Sequence, residues 1–321
     1  MIFSQVMAAE IYRTIGGVFL PKHFSDEAVL STLAYRPQPG DLFIVSYPKC
    51  GTTWMQNIVY NILMDAEEPK DFLQQALQLP FLEMQGAEAA VYAPKPAAFK
   101  THLSFQKNPY SPEAKYIYIA RNPYDCCVSF YYHTKNIPLY QFENGTFDEF
   151  FEIFLQGRVD FGDYFENVLS WYEHRNDPNV LFLTYEGLKK DIVGQIHRIA
   201  AFIGEDKERR LKENPELLHR ILENTSLEHM RKKVILSAQT APLEVNESQL
   251  LESIRPELRK GFKTIIGLSR MPMKGDFVRT GQVGDWKNHF SPNQIIRMKA
   301  KIAEATKGSD VMNLWKDIDI P

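Results

Sequence analysis

The sequence predicts an α/β fold, a single domain over residues 1–321 with a central parallel sheet flanked by helices. Three observations lead there. Short, continuous apolar runs alternate with helical patterns along the chain. Runs of that kind are strands buried on both faces, and their alternation with helices implies parallel pairing. The first run also leads through a Gly-Thr-Thr loop straight into a helical pattern, as a strand–loop–helix unit does. A length of 321 residues with 44% hydrophobic content is enough for one large core, so a second domain is not required.

In chain order, Leu42 to Ser46 is the first strand candidate, followed by a helix whose Trp54, Ile58 and Ile62 recur at intervals of four. Ala97 to Lys100 is a short second strand. Tyr116 to Ala120 is the third, running into Arg121-Asn122-Pro123, and Val180 to Thr184 is the fourth. After it, Ile192, Ile196, Ile199, Ala200 and Ile203 mark a helix. Residues 240–275 read as a long inserted excursion, broken by Pro256, Gly261, Gly267 and Pro272, with a helix from Leu250 to Leu258.

Several classes are disfavoured. A net charge of −3 is not the footprint of a nucleic-acid binder, and Arg231-Lys232-Lys233 reads as solvated helix surface. No apolar span of about 18 residues is present, so no membrane helix is expected. Glu10 and Arg13 interrupt the apolar N-terminal stretch and spoil a signal-peptide reading. Cys50, Cys126 and Cys127 form neither a disulfide framework nor a metal-site spacing, so no metal is expected. The expected setting is cytoplasmic, and the Asn-x-Ser/Thr matches at Asn144, Asn224 and Asn246 read as chance.

Tyr-Pro-Lys-Cys-Gly-Thr-Thr-Trp, residues 47–54, is the most informative stretch. A loop at a helix N-terminus offers unpaired N–H groups and the positive end of the helix dipole, to which Lys49, Thr52 and Thr53 add a charge and two hydroxyls. It suits a phosphate- or sulfate-type anion, although a plain βα turn can have the same composition. It is not a Walker A loop, because the Lys precedes the Gly. In parallel sheets, ligands sit beyond the carboxyl ends of the strands. That rule gathers Lys49, Lys100, His102, Arg121 and Tyr185 at one rim.

Six motifs then carry a resemblance. They are residues 47–54; Lys100-Thr101-His102; Arg-Asn-Pro-Tyr-Asp-Cys-Cys-Val-Ser at 121–129; Tyr185-Glu186; Thr225-Ser226 with Met230; and Arg279-Thr280-Gly281 leading to Gly284-Asp285-Trp286-Lys287-Asn288. In this order and spacing, from about Tyr12 to Phe290, the chain resembles the cytosolic sulfotransferases. These enzymes move a sulfuryl group from 3′-phosphoadenosine 5′-phosphosulfate (PAPS) to a hydroxyl or amine and leave adenosine 3′,5′-bisphosphate (PAP). The resemblance implies a P-loop-like phosphosulfate-binding strand–loop–helix made of Lys49, Cys50, Gly51, Thr52, Thr53 and Trp54. It implies a 3′-phosphate site at Arg121 and Ser129, closed over by Arg279, Thr280 and Gly281. Trp54, Tyr185, Thr225 and Leu227 would contact the nucleoside. His102 would be the general base, and Lys49 and Lys100 would steady the leaving oxygen.

The resemblance also implies an apolar acceptor pocket, here Phe24, Phe81, Met84 and Phe142, for a phenol, a catecholamine-like amine, a steroid or an alcohol. Glu83 and Glu143 lie nearby and are candidates to recognise an amine, although solvated surface is the favoured reading. Some positions depart from the family pattern. Cys50 stands where Ser is usual, and beside Lys49 at a helix N-terminus its thiol is expected to be acidified and oxidisable. Leu227 replaces an aromatic residue and Thr280 replaces a Lys. Met230 and Arg279 are 49 positions apart, more than the family pattern implies, so the excursion is expected to form a lid over the acceptor mouth. The dimer element after Lys287 is degenerate, with Ser291, Pro292 and Ile296, which leaves a monomer or weak homodimer. The partner expected is a small-molecule acceptor, with no nucleic acid and no membrane. The alternative to a working enzyme is a PAPS- or PAP-binding protein with little turnover; a nucleotide kinase is disfavoured by the loop.

Overall fold

The computed structural model describes residues 11–232, 247–269, 275 and 279–321. The expected α/β architecture is present. Four parallel strands, β3 (Leu42–Val45), β4 (Phe99–Thr101), β5 (Lys115–Ala120) and β6 (Val180–Thr184), pair in the order β4-β3-β5-β6. A separate antiparallel hairpin, β1 (Tyr12–Ile15) and β2 (Val18–Pro21), precedes them. Its turn is Gly16-Gly17 with φ of +55° and +76°, the positive values that a two-residue hairpin of this hand requires.

The apolar runs explain the sheet. Leu42 and Ile44 of β3, with Ile117 and Ile119 of β5, face one layer that includes the helices Thr52–Leu63 and Ile192–Ile203. Phe43 and Val45, with Tyr116 and Tyr118, face the other, which includes the helices Pro123–Asn136, Phe147–Leu155 and Tyr164–Tyr172. Alternate side chains leave a strand on opposite faces, so a run apolar throughout serves both layers. On the second face the rings interlock: Phe43 stacks on Tyr116 at 5.0 Å, and Tyr118 on Trp171 at 5.4 Å.

The strand order turns at β3. The chain passes from β3 to β4 on one side, then returns to place β5 on the other. The crevice at such a turning point, beyond the carboxyl ends of β3 and β5, is where open α/β sheets bind ligands. The loops that end at Lys49 and Arg121 meet there. Asn122 starts the helix Pro123–Asn136; its side chain accepts from Asp125 N at 2.9 Å, and Pro123 takes the first helical position. Glu186 ties this corner to β6, accepting from Asn122 N at 2.9 Å, Asn122 Nδ2 at 2.7 Å and Trp315 Nε1 at 2.8 Å.

Two boundaries differ from expectation. The second strand is Phe99–Thr101, not Ala97 to Lys100; Ala98 N and Lys100 N instead donate to Gln78 O and Pro80 O. The helix expected from Leu250 to Leu258 is Glu247–Ser253, followed by a separate turn at Pro256–Leu258. Arg255 lies before Pro256 in an extended conformation (φ −55°, ψ 140°), because proline disfavours a helical residue ahead of it. Another helix follows, Arg259–Ser269. The rest of the 240–275 excursion, apart from Gly275, lies outside the described residues.

Candidate active site

A cavity of about 820 Å³ opens at the turning point of the sheet. Lys49, Lys100, His102, Arg121 and Tyr185 all line it, as the rim argument expected. So do Gly51, Thr52, Thr53, Trp54, Ser129, Thr225, Leu227, Arg279, Thr280 and Gly281, and also Phe24, Phe81 and Met84.

The loop after β3 has a constrained backbone. Lys49 has φ +68° and Gly51 φ +103°. A Cβ at Gly51 would lie 2.9 Å from the Tyr185 ring, so only glycine fits both the conformation and the space. The helix that begins at Thr52 has Gly51 as its N-cap, so no N-cap side chain accepts from its first N–H groups. Thr52 Oγ1 lies 2.6 Å from Ser46 Oγ.

Arg121 is buried over the Tyr185 ring, 4.6 Å from its centroid. It donates to Lys49 O at 3.4 Å and Gln282 O at 3.2 Å, and its Nε has no partner among the described residues. Arg279 pairs with Asp285 and lies over the Tyr132 ring. Leu227 packs against Gly281, where an added Cβ would meet its Cδ1 at 3.0 Å. Trp54 Nε1 donates to Thr225 O at 3.0 Å, and its ring meets Tyr185 edge to face.

His102 has a defined tautomer. Its Nδ1 lies 2.7 Å from Ser46 O, and a carbonyl can only accept, so Nδ1 carries the proton and Nε2 keeps its lone pair. Burial, reinforced by the Lys100 charge, holds the imidazole well below its usual pKa. It is therefore neutral at pH 7 and able to take a proton. Burial lowers Lys49 to about 7, with Lys100 and Arg121 acting the same way, and burial lowers Lys100 to about 8. An anion placed between these lysines would restore their charge.

The sulfotransferase domain family matches residues 39–310. The chain belongs to that family. It is 33% identical to "Sulfotransferase 1C2" of Oryctolagus cuniculus over 290 residues, 87% of each chain. It is 31% identical to "Amine sulfotransferase" of the same species, over 86% of this chain and 83% of that one. Among solved structures it is similar to mouse sulfotransferase SULT7A1 complexed with PAP, at 28% identity and TM-score 0.71, over 96% of this chain and 98% of the other.

Three expectations for this sulfotransferase need correction. Cys50 does not face the cavity. Its side chain is fully buried, with Sγ 3.8 Å from Cys126 Sγ, and burial pushes the thiol up rather than down. The adjacent helix terminus and Arg121 do not outweigh that loss of solvation. Phe142 is also absent from the cavity wall; it is buried against Tyr131 and Phe150. Glu83 is not solvated surface but fully buried, accepting at Oε1 from Thr101 Oγ1 at 2.7 Å and His102 N at 2.8 Å. Glu143 is exposed, as expected.

Other contributors were not anticipated. Asp125 receives Gly284 N at 2.8 Å and Trp286 N at 3.0 Å, which docks the segment after Gly281 onto the Pro123–Asn136 helix. His133 Nδ1 lies 3.3 Å from Lys49 Nζ. His23, Asp160 and Phe161 also line the cavity, and the excursion contributes Ile265 and Leu268 to the wall. The one available signal was position: Asp125 and His133 share a helix with Ser129. His23 and Asp160 carry no local mark.

Proposed function

We propose that this sulfotransferase moves a sulfuryl group from PAPS to the hydroxyl or amine of a small, largely apolar acceptor, with His102 as general base. When bound, PAPS supplies the sulfuryl group and leaves as PAP. The cavity suits such a donor, because two anionic groups would meet two separate clusters of basic groups. The open helix terminus at Thr52 and Thr53, with Lys49, would hold the 5′ side. Arg121, whose Nε has no partner among the described residues, would hold the 3′-phosphate together with Ser129, Arg279 and Gly281. Trp54, Tyr185, Thr225 and Leu227 would enclose the nucleoside.

The observation that carries this reading is the juxtaposition of Nε2 of a neutral His102 with Lys49 and Lys100 in one cavity. His102 would take the acceptor proton at Nε2. The two lysines would stabilise negative charge on the departing oxygen, in a transfer treated as an in-line displacement by analogy with phosphoryl transfer. The same juxtaposition speaks against a binder without turnover, since binding alone has no use for a base. Helix Arg259–Ser269 would act as part of a lid that shapes acceptor choice. The test uses labelled PAPS with a panel of phenols, amines, alcohols and steroids, beside His102→Ala. Loss of a general base costs ~10²–10⁴ in rate. PAP binding with no transfer to any acceptor would favour the binder instead.

A further inference from the structure

Asp160 is the only carboxylate among the described residues lining the cavity. It follows Val159, well after the Phe147–Leu155 helix, and is itself buried. One oxygen accepts from Tyr12 OH at 2.9 Å and the other from Tyr140 OH. No lysine, arginine or histidine forms an ion pair with it among the described residues, whereas the buried Asp41 and Asp285 each have one. Each carboxylate oxygen keeps a second lone pair after one hydrogen bond. The site is thus a fixed, desolvated acceptor group in the cavity wall with no ion-pair partner among the described residues.

We infer that Asp160 selects acceptors that carry an ammonium group a few bonds from the hydroxyl to be sulfated. The inference rests on the sulfotransferase reading of the same cavity. A buried carboxylate loses its hydration and regains little from two neutral hydroxyls, so a cation offered by a ligand is worth more there than at an exposed acid. Burial raises the Asp160 carboxyl to about 6, and the two tyrosine hydroxyls limit the rise, so most molecules carry the charge at neutral pH. Lys49 also favours the charged form from a distance.

Rings enclose the space around His102. His102 lies 5.1 Å from Phe161 and 5.2 Å from Phe81, and Phe24 lies 5.8 Å from Phe161. A flat acceptor with its hydroxyl at His102 would lie against Phe161 and Phe81, in the same cavity that Asp160 lines. Phe161 and Tyr140 also offer ring faces to a cation. His23, in contact with Tyr140, does not compete, because burial lowers it to about 4 and leaves it neutral. Glu83 and Glu143 are not in the cavity wall: the first is buried beneath Thr101 and His102, and the second is exposed.

The experiment compares two phenols of equal shape, tyramine and 4-propylphenol, which differ in an ammonium against a methyl group. Their binding to PAP-saturated protein is measured by calorimetry, and their kcat/KM with PAPS by sulfate transfer. The expected result is at least tenfold preference for tyramine in both, carried by KM. Asp160→Asn should reduce the preference to less than threefold. Tyr12→Phe removes one anchor but keeps the charge and should retain it, so a general defect in packing is told apart from loss of the charge. Equal affinity for the two phenols, binding of neither, or an equal loss on both in Asp160→Asn would overturn the inference and leave Asp160 as an anchor for Tyr12 and Tyr140. Absence of PAP binding, or of transfer to any phenol, would instead be failure of the sulfotransferase reading.

Discussion

Raising the pH from 7 to 9 should weaken PAP binding, by an amount set by Lys49 and Lys100. In the free protein these lysines stand at about 7 and about 8 because burial disfavours their charged forms. A phosphate group beside them favours the charged form and moves both back toward the usual lysine range. The complex therefore holds more protons than the free protein above pH 7. Binding takes up protons, and by linkage the association constant falls as pH rises through 7 to 9. At pH 8, Lys49 is about nine-tenths neutral and Lys100 about half, so full recharging takes up ~1.4 protons and costs roughly twentyfold in affinity per pH unit. If Lys49 alone responds, the loss is about eightfold. Calorimetry at pH 8 in two buffers of different ionisation enthalpy gives the proton count directly, and titrations from pH 7 to 9 give the slope. A heat independent of buffer, with affinity flat across that range, would show that the lysines are already charged before the ligand arrives.

Three further outcomes are expected. Asp125→Ala strands Gly284 N–H, Trp286 N–H and the Asn122 amide, so it should cost about 2–5 kcal/mol in chemical denaturation and at least tenfold in PAP affinity; unchanged affinity would mean that the segment holds its place without this anchor. Glu83→Ala removes the acceptor of His102 N–H and Thr101 Oγ1 and should lose about 2–4 kcal/mol, whereas Glu83→Gln keeps an acceptor oxygen and should retain most activity; equal losses in urea melts and turnover would contradict that. Cys50 in the folded protein should resist a thiol reagent such as Ellman's and react only on unfolding, which mass spectrometry of trapped peptides would show.

Much of the fold was legible because its signals are local. Leu42–Val45, Lys115–Ala120 and Val180–Thr184 are short apolar runs, and a strand buried on both faces needs nothing else to declare itself. The loop at 47–54 announces its chemistry in eight consecutive residues, and the rule that ligands gather beyond strand ends was enough to bring Lys49, Lys100, His102, Arg121 and Tyr185 into one cavity. The hairpin at Tyr12–Pro21 was missed although Gly16-Gly17 marks its turn, because two four-residue strands give too short a period to stand out.

What the chain alone could not settle is where each side chain points and how much water it keeps. Cys50 has the neighbours of an acidified thiol in sequence, yet the turn at Gly51 sends it into the core, where desolvation reverses the effect. Glu83 and Asp160 look like two ordinary acids; packing makes one the anchor of the Thr101-His102 peptide and leaves the other in the cavity wall. Phe142 has the composition of a pocket residue and lies behind the wall. Sequence periodicity reports which face of an element is apolar. Charge state, tautomer and access to a cavity depend on groups 50 to 150 positions away, such as Ser46 for His102 and Tyr12 for Asp160, and only the tertiary fold brings those together.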